Sequence, residues 1–253
     1  LNSKFFLKFF SYCLILFGLY GIKEIINILD LLKKKYLKKK DYLIYLVIVI
    51  YFLLFFISAS PINHADSISY QFSGSLQLLK LGHFNKEILP MDFNHMGLGD
   101  LIITLGLAVK AEQFGGIIQF SSLLALFPFF KKNKTDLKFL IFILICPITL
   151  FLVSSPKAQL LFCISSLLIF IFLTKYSSNI DRLSLKIIFP IIVAILCLNN
   201  LTKYSFHLSS ALLGFYFFYI MIKNKLTIYS LFSGSIIILI FYLPIIIFRI
   251  ENF

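Results

Sequence analysis

From Tyr42 to Ala59 the chain runs for 18 residues without one charged side chain, and blocks of similar character recur along the sequence between short lysine clusters. A helix rises 1.5 Å per residue, so apolar blocks of about 16 to 22 residues match a hydrocarbon layer roughly 30 Å thick. Lipid offers the backbone no hydrogen-bond partners, which leaves the helix as the expected form of each block. The chain is 60% hydrophobic over 253 residues, with mean hydropathy +0.95, more apolar surface than one soluble core of this length can bury. The sequence therefore predicts an all-α, polytopic transmembrane helical bundle forming a single transmembrane domain over residues 1–253.

The apolar blocks place candidate spans at 5–22, 42–59, 114–130, 138–153, 158–174, 187–202, 204–222 and 228–248, about eight in all. The lysines between them decide sidedness. They fall in "KKKYLKKKD" (33–41), "KKNK" (131–134), the stretch holding Lys175, Arg182 and Lys186, and "KNK" (223–225). Cytoplasmic loops of membrane proteins carry such an excess of lysine and arginine. One alternating topology puts all four clusters inside. Residues 60–113, 154–157, the break near 203 and the C-terminal "FRIENF" then face outward.

Lys4 and Lys8 dissent from that scheme, so the first segment is not required to cross fully; with no small-x-small cleavage site after it, it reads as an uncleaved helix. The segment 97–112 is left lying along the outer face. The chain begins at Leu1 and stops just after a span, which reads as a piece of a longer protein, truncated at the C-terminus. A net charge of +13 distributed in this way is explained by topology and contacts with anionic membrane lipids, not by nucleic acid. Cys13, Cys146, Cys163 and Cys197 sit singly inside apolar blocks and read as packing residues.

Five of the 11 acids, Asp66, Glu87, Asp92, Asp100 and Glu112, fall in the outward segment 60–113, so any chemistry is expected there. Pro61 ends the preceding span, and Asp66 or Ser67 can cap an amphipathic helix over about 67–81, stopped by Gly82. An acid at that helix start stays ionised at the level of lipid phosphates. His64 is either a solvated loop residue or an aid to a metal or acceptor; Asp92 with His95 offers two ligands of a divalent cation without a clear third. Tyr70 reads as an interfacial anchor or a substrate contact. Lys157, Lys203 and Arg249 break the inside pattern and are the outward cations that could hold a phosphate, the alternative being lysines that snorkel to headgroups.

The ordered set Pro61, Asp66, Ser67 and Tyr70, then Met96-Gly97 through Asp100, Ser155-Pro156-Lys157, Leu201-Thr202-Lys203-Tyr204, and finally Arg249 and Asn252 resembles the GT-C superfamily of polyprenol-phosphate-dependent membrane glycosyltransferases. Gln71 and Gln159 stand where those relatives often carry His and an acid, so a second carboxylate would come from Asp92 or Asp100. The resemblance implies transfer of a sugar from a polyprenyl-phosphate donor to a lipid, glycan or protein acceptor at the outer face of the cytoplasmic membrane. Asp66 would be the general base, with Lys157, Lys203 and Arg249 stabilising the leaving phosphate. A divalent cation is the cofactor such a site could take. A multispan transporter and a polysaccharide polymerase or ligase are the competing classes; outward clustering of polar residues, scarce arginine and the absence of internal symmetry weigh toward the transferase.

Overall fold

The computed structural model describes residues 8, 9, 11–13, 15, 16, 42–61, 72–81, 98–130, 134–156, 159–176, 181–202 and 204–252. These residues are helical throughout, joined by short turns, with no strand among them. The helices are α1 (Tyr42–Ala59), α2 (Ser73–Leu81), α3 (Leu98–Ala108), α4 (Phe114–Leu124), α5 (Phe127–Phe130), α6 (Lys134–Ile145), α7 (Pro147–Val153), α8 (Gln159–Tyr176), α9 (Arg182–Thr202), α10 (His207–Lys223) and α11 (Thr227–Asn252), with a 3-10 turn at Tyr204–Phe206. The chain packs as two compact units, Leu1–Leu161 and Phe162–Phe253.

In the first unit α1 packs against α4, α6 and α7, while α2 pairs with α3. The span expected at 42–59 coincides with α1, which ends before Pro61; Ser60 closes the last turn with its hydroxyl on the Ile57 carbonyl at 2.6 Å. Halfway along, Tyr51 is buried edge-on to Phe120 and Phe127, and its hydroxyl donates to the Leu123 carbonyl at 2.9 Å. That carbonyl lies in the last turn of α4, where intrahelical donors run out. The expected span 114–130 is therefore α4 and α5 separated by a turn at Ala125–Leu126, and 138–153 is α6 and α7 bent by 59° at Cys146. Cys146 has ψ 131°, the extended geometry that a following proline imposes.

The second unit is built on α9, which packs against both α10 and α11. Its core gathers Leu173, Leu185, Phe189, Leu196, Phe217 and Met221, with the Phe189 and Phe217 rings 5.2 Å apart. Two helices end in the same left-handed turn without glycine. After α3, Lys110 has φ 61° and Ala111 N–H reaches back to the Gly106 carbonyl; after α10, Lys225 has φ 59° and Leu226 N–H reaches the Met221 carbonyl.

By length and composition, α1 and Leu183–Thr202 of α9 can cross a membrane, and the bent pair α6 and α7 makes a third if it is one span. Of the other apolar helices, α8 runs 18 residues and α11 runs 26, while the stretches Gly99–Ala108, Phe114–Phe130 and His207–Lys223 have 10–17. A helix of 17 residues is about 25 Å long, short of a hydrocarbon layer of roughly 30 Å. Turns interrupt the expected blocks 114–130 and 138–153, and by helix length and composition two or three crossings are identified among the described residues, against the eight expected for the whole chain. The protein is an all-helical membrane protein. The expected segment 67–81 is described only from Phe72, as α2, and 97–112 contains α3; the spans at 5–22 and the lysine cluster 33–40 lie largely or wholly outside the described residues.

At the lysine-rich start of α9, Asp181 accepts the main-chain N–H groups of Leu183 at 3.1 Å and Ser184 at 3.2 Å. Hydrogen bonding from the Ser184 side chain, then from its backbone, holds this exposed carboxyl below its ordinary range. A depressed folded-state value means the cap stabilises above the unfolded value, about 3.9, and is lost as pH falls through the folded one. Asp181→Ala is expected to lower the thermal midpoint at neutral pH, with the gap from the parent closing toward about pH 3. Circular dichroism melts at both pH values check it; an equal gap at both would contradict the charged cap.

Candidate functional site

One end of the first unit collects the polar groups that its apolar helices otherwise lack. Gln119, on α4 and fully buried, donates from Nε2 to the carbonyls of Leu152 at 2.6 Å and Ser155 at 2.7 Å, and its Oε1 accepts the Leu160 N–H at 2.7 Å. These main-chain groups lie where α7 ends and α8 begins, and the Leu152 carbonyl also accepts the Ser155 N–H at 3.2 Å. A single neutral amide thereby fixes the Ser154-Ser155-Pro156 turn without introducing a charge.

Two glycines one turn earlier let the backbones close on each other. A Cβ on Gly115 would lie 2.8 Å from the Pro156 Cα, and one on Gly116 would lie 2.6 Å from the Ser58 carbonyl oxygen and 3.2 Å from that of Val153. Any side chain there forces the helices apart. The start of α4, the end of α1 and the end of α7 consequently meet at one place. Chain leaving α1 there enters the segment that holds His64, Asp66 and Tyr70, and chain leaving α7 runs directly into Lys157.

The expected site residues stand as follows. His64, Asp66, Tyr70, Asp92, Lys157 and Lys203 lie outside the described residues, and Arg249 falls on α11 with only its backbone described. Asp100 is half-buried in the first turn of α3, where its main-chain carbonyl accepts the hydroxyls of Ser75 at 3.0 Å and Thr104 at 2.8 Å. The Ser75 bond ties α3 to α2, and Ser11 adds a bond to the Leu105 carbonyl at 2.9 Å. Among the described residues, no three of His, Cys, Asp and Glu come together as a metal site.

A second polar cluster, unforeseen in the sequence, lies inside the second unit. Asn199 is fully buried on α9; its Oδ1 accepts the Ser165 hydroxyl at 3.0 Å and its Nδ2 donates to the Ser166 hydroxyl at 3.0 Å. The next residue, Asn200, has its Oδ1 buried without a partner. Asn199 ties α8 to the last turn of α9, four residues before Lys203. The signal of the two amides was visible as an Asn-Asn pair at the end of an apolar block, and that of Gln119 as a lone amide in "GGIIQFSS".

Replacing Gln119 by Leu removes three hydrogen bonds and takes from the buried Leu160 N–H its side-chain acceptor, a loss of about 1–3 kcal/mol. Gln119→Leu is expected to lower the thermal midpoint markedly and to raise amide exchange specifically over 154–161. Exchange unchanged in that segment would show that the amide is not what holds the turn.

The DUF1420 N-terminal domain family matches residues 5–253. No curated protein and no solved structure matches the chain significantly. The family match covers both helical units and both polar clusters, and the chain belongs to the DUF1420 family through its N-terminal domain.

Proposed function

We propose that this protein is a membrane glycosyltransferase of the GT-C type, moving a sugar from a polyprenyl-phosphate donor to a lipid, glycan or protein acceptor at the outer face of the cytoplasmic membrane. The observation that carries the reading is the glycine-glutamine junction. Through Gly115, Gly116 and Gln119, the segment leading to Asp66 and the segment leading to Lys157 depart from the same end of one unit. A base and a cation needed on one side of a membrane are supported by that shared departure point.

In this reading the shorter apolar helices also cross, by locally thinning the bilayer and by flanking lysines that snorkel to the headgroups. Asp66 takes the proton of the acceptor hydroxyl or amine as the new glycosidic bond forms. Lys157 neutralises the phosphate that leaves with the polyprenol. Asp100, His64, Tyr70 and Asp92 belong to the same outward segment and would shape the acceptor side, with a divalent cation as a possible aid. Lys203 and Arg249 carry the cation role by sequence alone.

The 59° break between α6 and α7 favours a second reading, a transporter, because broken helices mark substrate paths in such proteins. The two readings separate on chemistry. Membranes containing the protein, given a panel of undecaprenyl-phosphate sugars, should release undecaprenyl phosphate as sugar is transferred. Asp66→Asn should reduce that release on the order of 100-fold or more with unchanged insertion, and Lys157→Ala should chiefly raise the donor KM. Full turnover in the Asn variant would remove Asp66 from the base role, and sugar movement without donor cleavage would favour transport.

A further inference from the structure

At the opposite, lysine-rich end of the second unit an open pocket of about 400 Å³ lies where α10 turns into α11, beside the start of α9. Its polar side is formed by Lys186, Lys225, Thr227 and Tyr229, its apolar side by Ile222 and Ile228. Two of these residues are cations and none is an acid. We propose that this pocket binds the phosphate headgroup of an anionic phospholipid, with the acyl chains running over Ile222 and Ile228.

Three independent features point there. Lys225 occupies a left-handed backbone position, φ 59°, which any residue but glycine takes up at a cost, and helices ending in this turn mostly place glycine there. Lys225 at that position brings to the pocket an ammonium group that glycine would not. Lys186 is held in place from both ends: its carbonyl accepts the Tyr229 hydroxyl at 2.8 Å, and its ammonium stands 5.7 Å from the centre of the same ring. A cation over an aromatic face keeps its N–H groups available to an anion.

The third feature separates a lipid from free phosphate. Ile228 is 85% exposed and Ile222 46% exposed, directly beside the two lysines. A soluble anion gains nothing from that apolar shelf, whereas a phospholipid covers it with hydrocarbon while its phosphate meets the ammonium groups. Lys175 and Lys223 close helices toward this same end, so the surrounding surface already attracts acidic headgroups.

The test is lipid retention by the purified full chain, counted by native mass spectrometry after equilibration with dioleoylphosphatidylglycerol or dioleoylphosphatidylcholine. The parent is expected to hold the anionic lipid in preference to the zwitterionic one. Lys186→Gln and Lys225→Gly should each weaken that binding roughly fivefold. Lys225→Gly relieves the strained backbone, so its thermal midpoint should equal or exceed the parent's while lipid is lost, which separates binding from folding. Millimolar inorganic phosphate should leave the bound lipid in place. Undiminished phosphatidylglycerol binding in the double variant, or equal retention of both lipids, would overturn the proposal; displacement by inorganic phosphate would assign the pocket to a free anion and overturn the lipid assignment.

Discussion

Backbone groups buried among apolar side chains must find partners, and in this protein the helix breaks make that demand acute. Every interruption of an apolar helix exposes carbonyls and N–H groups that neither lipid nor hydrocarbon side chains can satisfy. The chain answers with neutral side chains. Gln119 takes up three main-chain groups at the α7–α8 turn, Tyr51 takes the Leu123 carbonyl where α4 ends, and Asn199 reaches two serines of α8. Using amides and hydroxyls avoids burying a charge, which costs far more than the bond it would make.

That solution also determines where chemistry can occur. The bonds from Gln119 and the close approach allowed by Gly115 and Gly116 make one end of the first unit rigid, and from this end emerge the acid-rich segment after Pro61 and the lysine after Pro156. In the proposed reading, this end is the base from which the segments carrying Asp66 and Lys157 depart. In the second unit, lysines close α8 and α10 and stand in the turn after α10 and early in α9. At Lys186 and Lys225 these form a shaped pocket, which distinguishes specific headgroup recognition from general attraction to acidic lipid.

Much of the fold was legible because hydropathy reads directly as helix. The bounds of α1 followed from an uncharged run with a proline after it, and the turn at 223–226 followed from its lysines. Helix continuity was less legible. Pro147 forces Cys146 out of helical geometry and splits one block into α6 and α7, and the Ala125–Leu126 turn divides another just before Pro128, which has no N–H to continue the α4 ladder. Hydropathy averages across such breaks, so in these two blocks it overstates the length of continuous helix. The polar clusters were harder still, since one glutamine or asparagine in an apolar run scarcely alters a window average, and only the packing reveals that Gln119 meets the ends of α7 and α8 and that Asn199 bonds the serines of α8. Of the residues expected to act on substrate, Asp100 is placed at a helix start tied to α2 through its backbone, while its role rests on chemistry that the sequence named first.

The central claim is that the ends of α1 and α7 share one aqueous face, across the membrane from the loop before α6. In a chain with Cys13, Cys146, Cys163 and Cys197 replaced, single cysteines at Ser60, Ser154 and Lys134 can be probed with a membrane-impermeant maleimide in intact cells. The account predicts modification at positions 60 and 154 from outside and at 134 only after the membrane is opened. Labelling of 60 and 154 from opposite sides would contradict it.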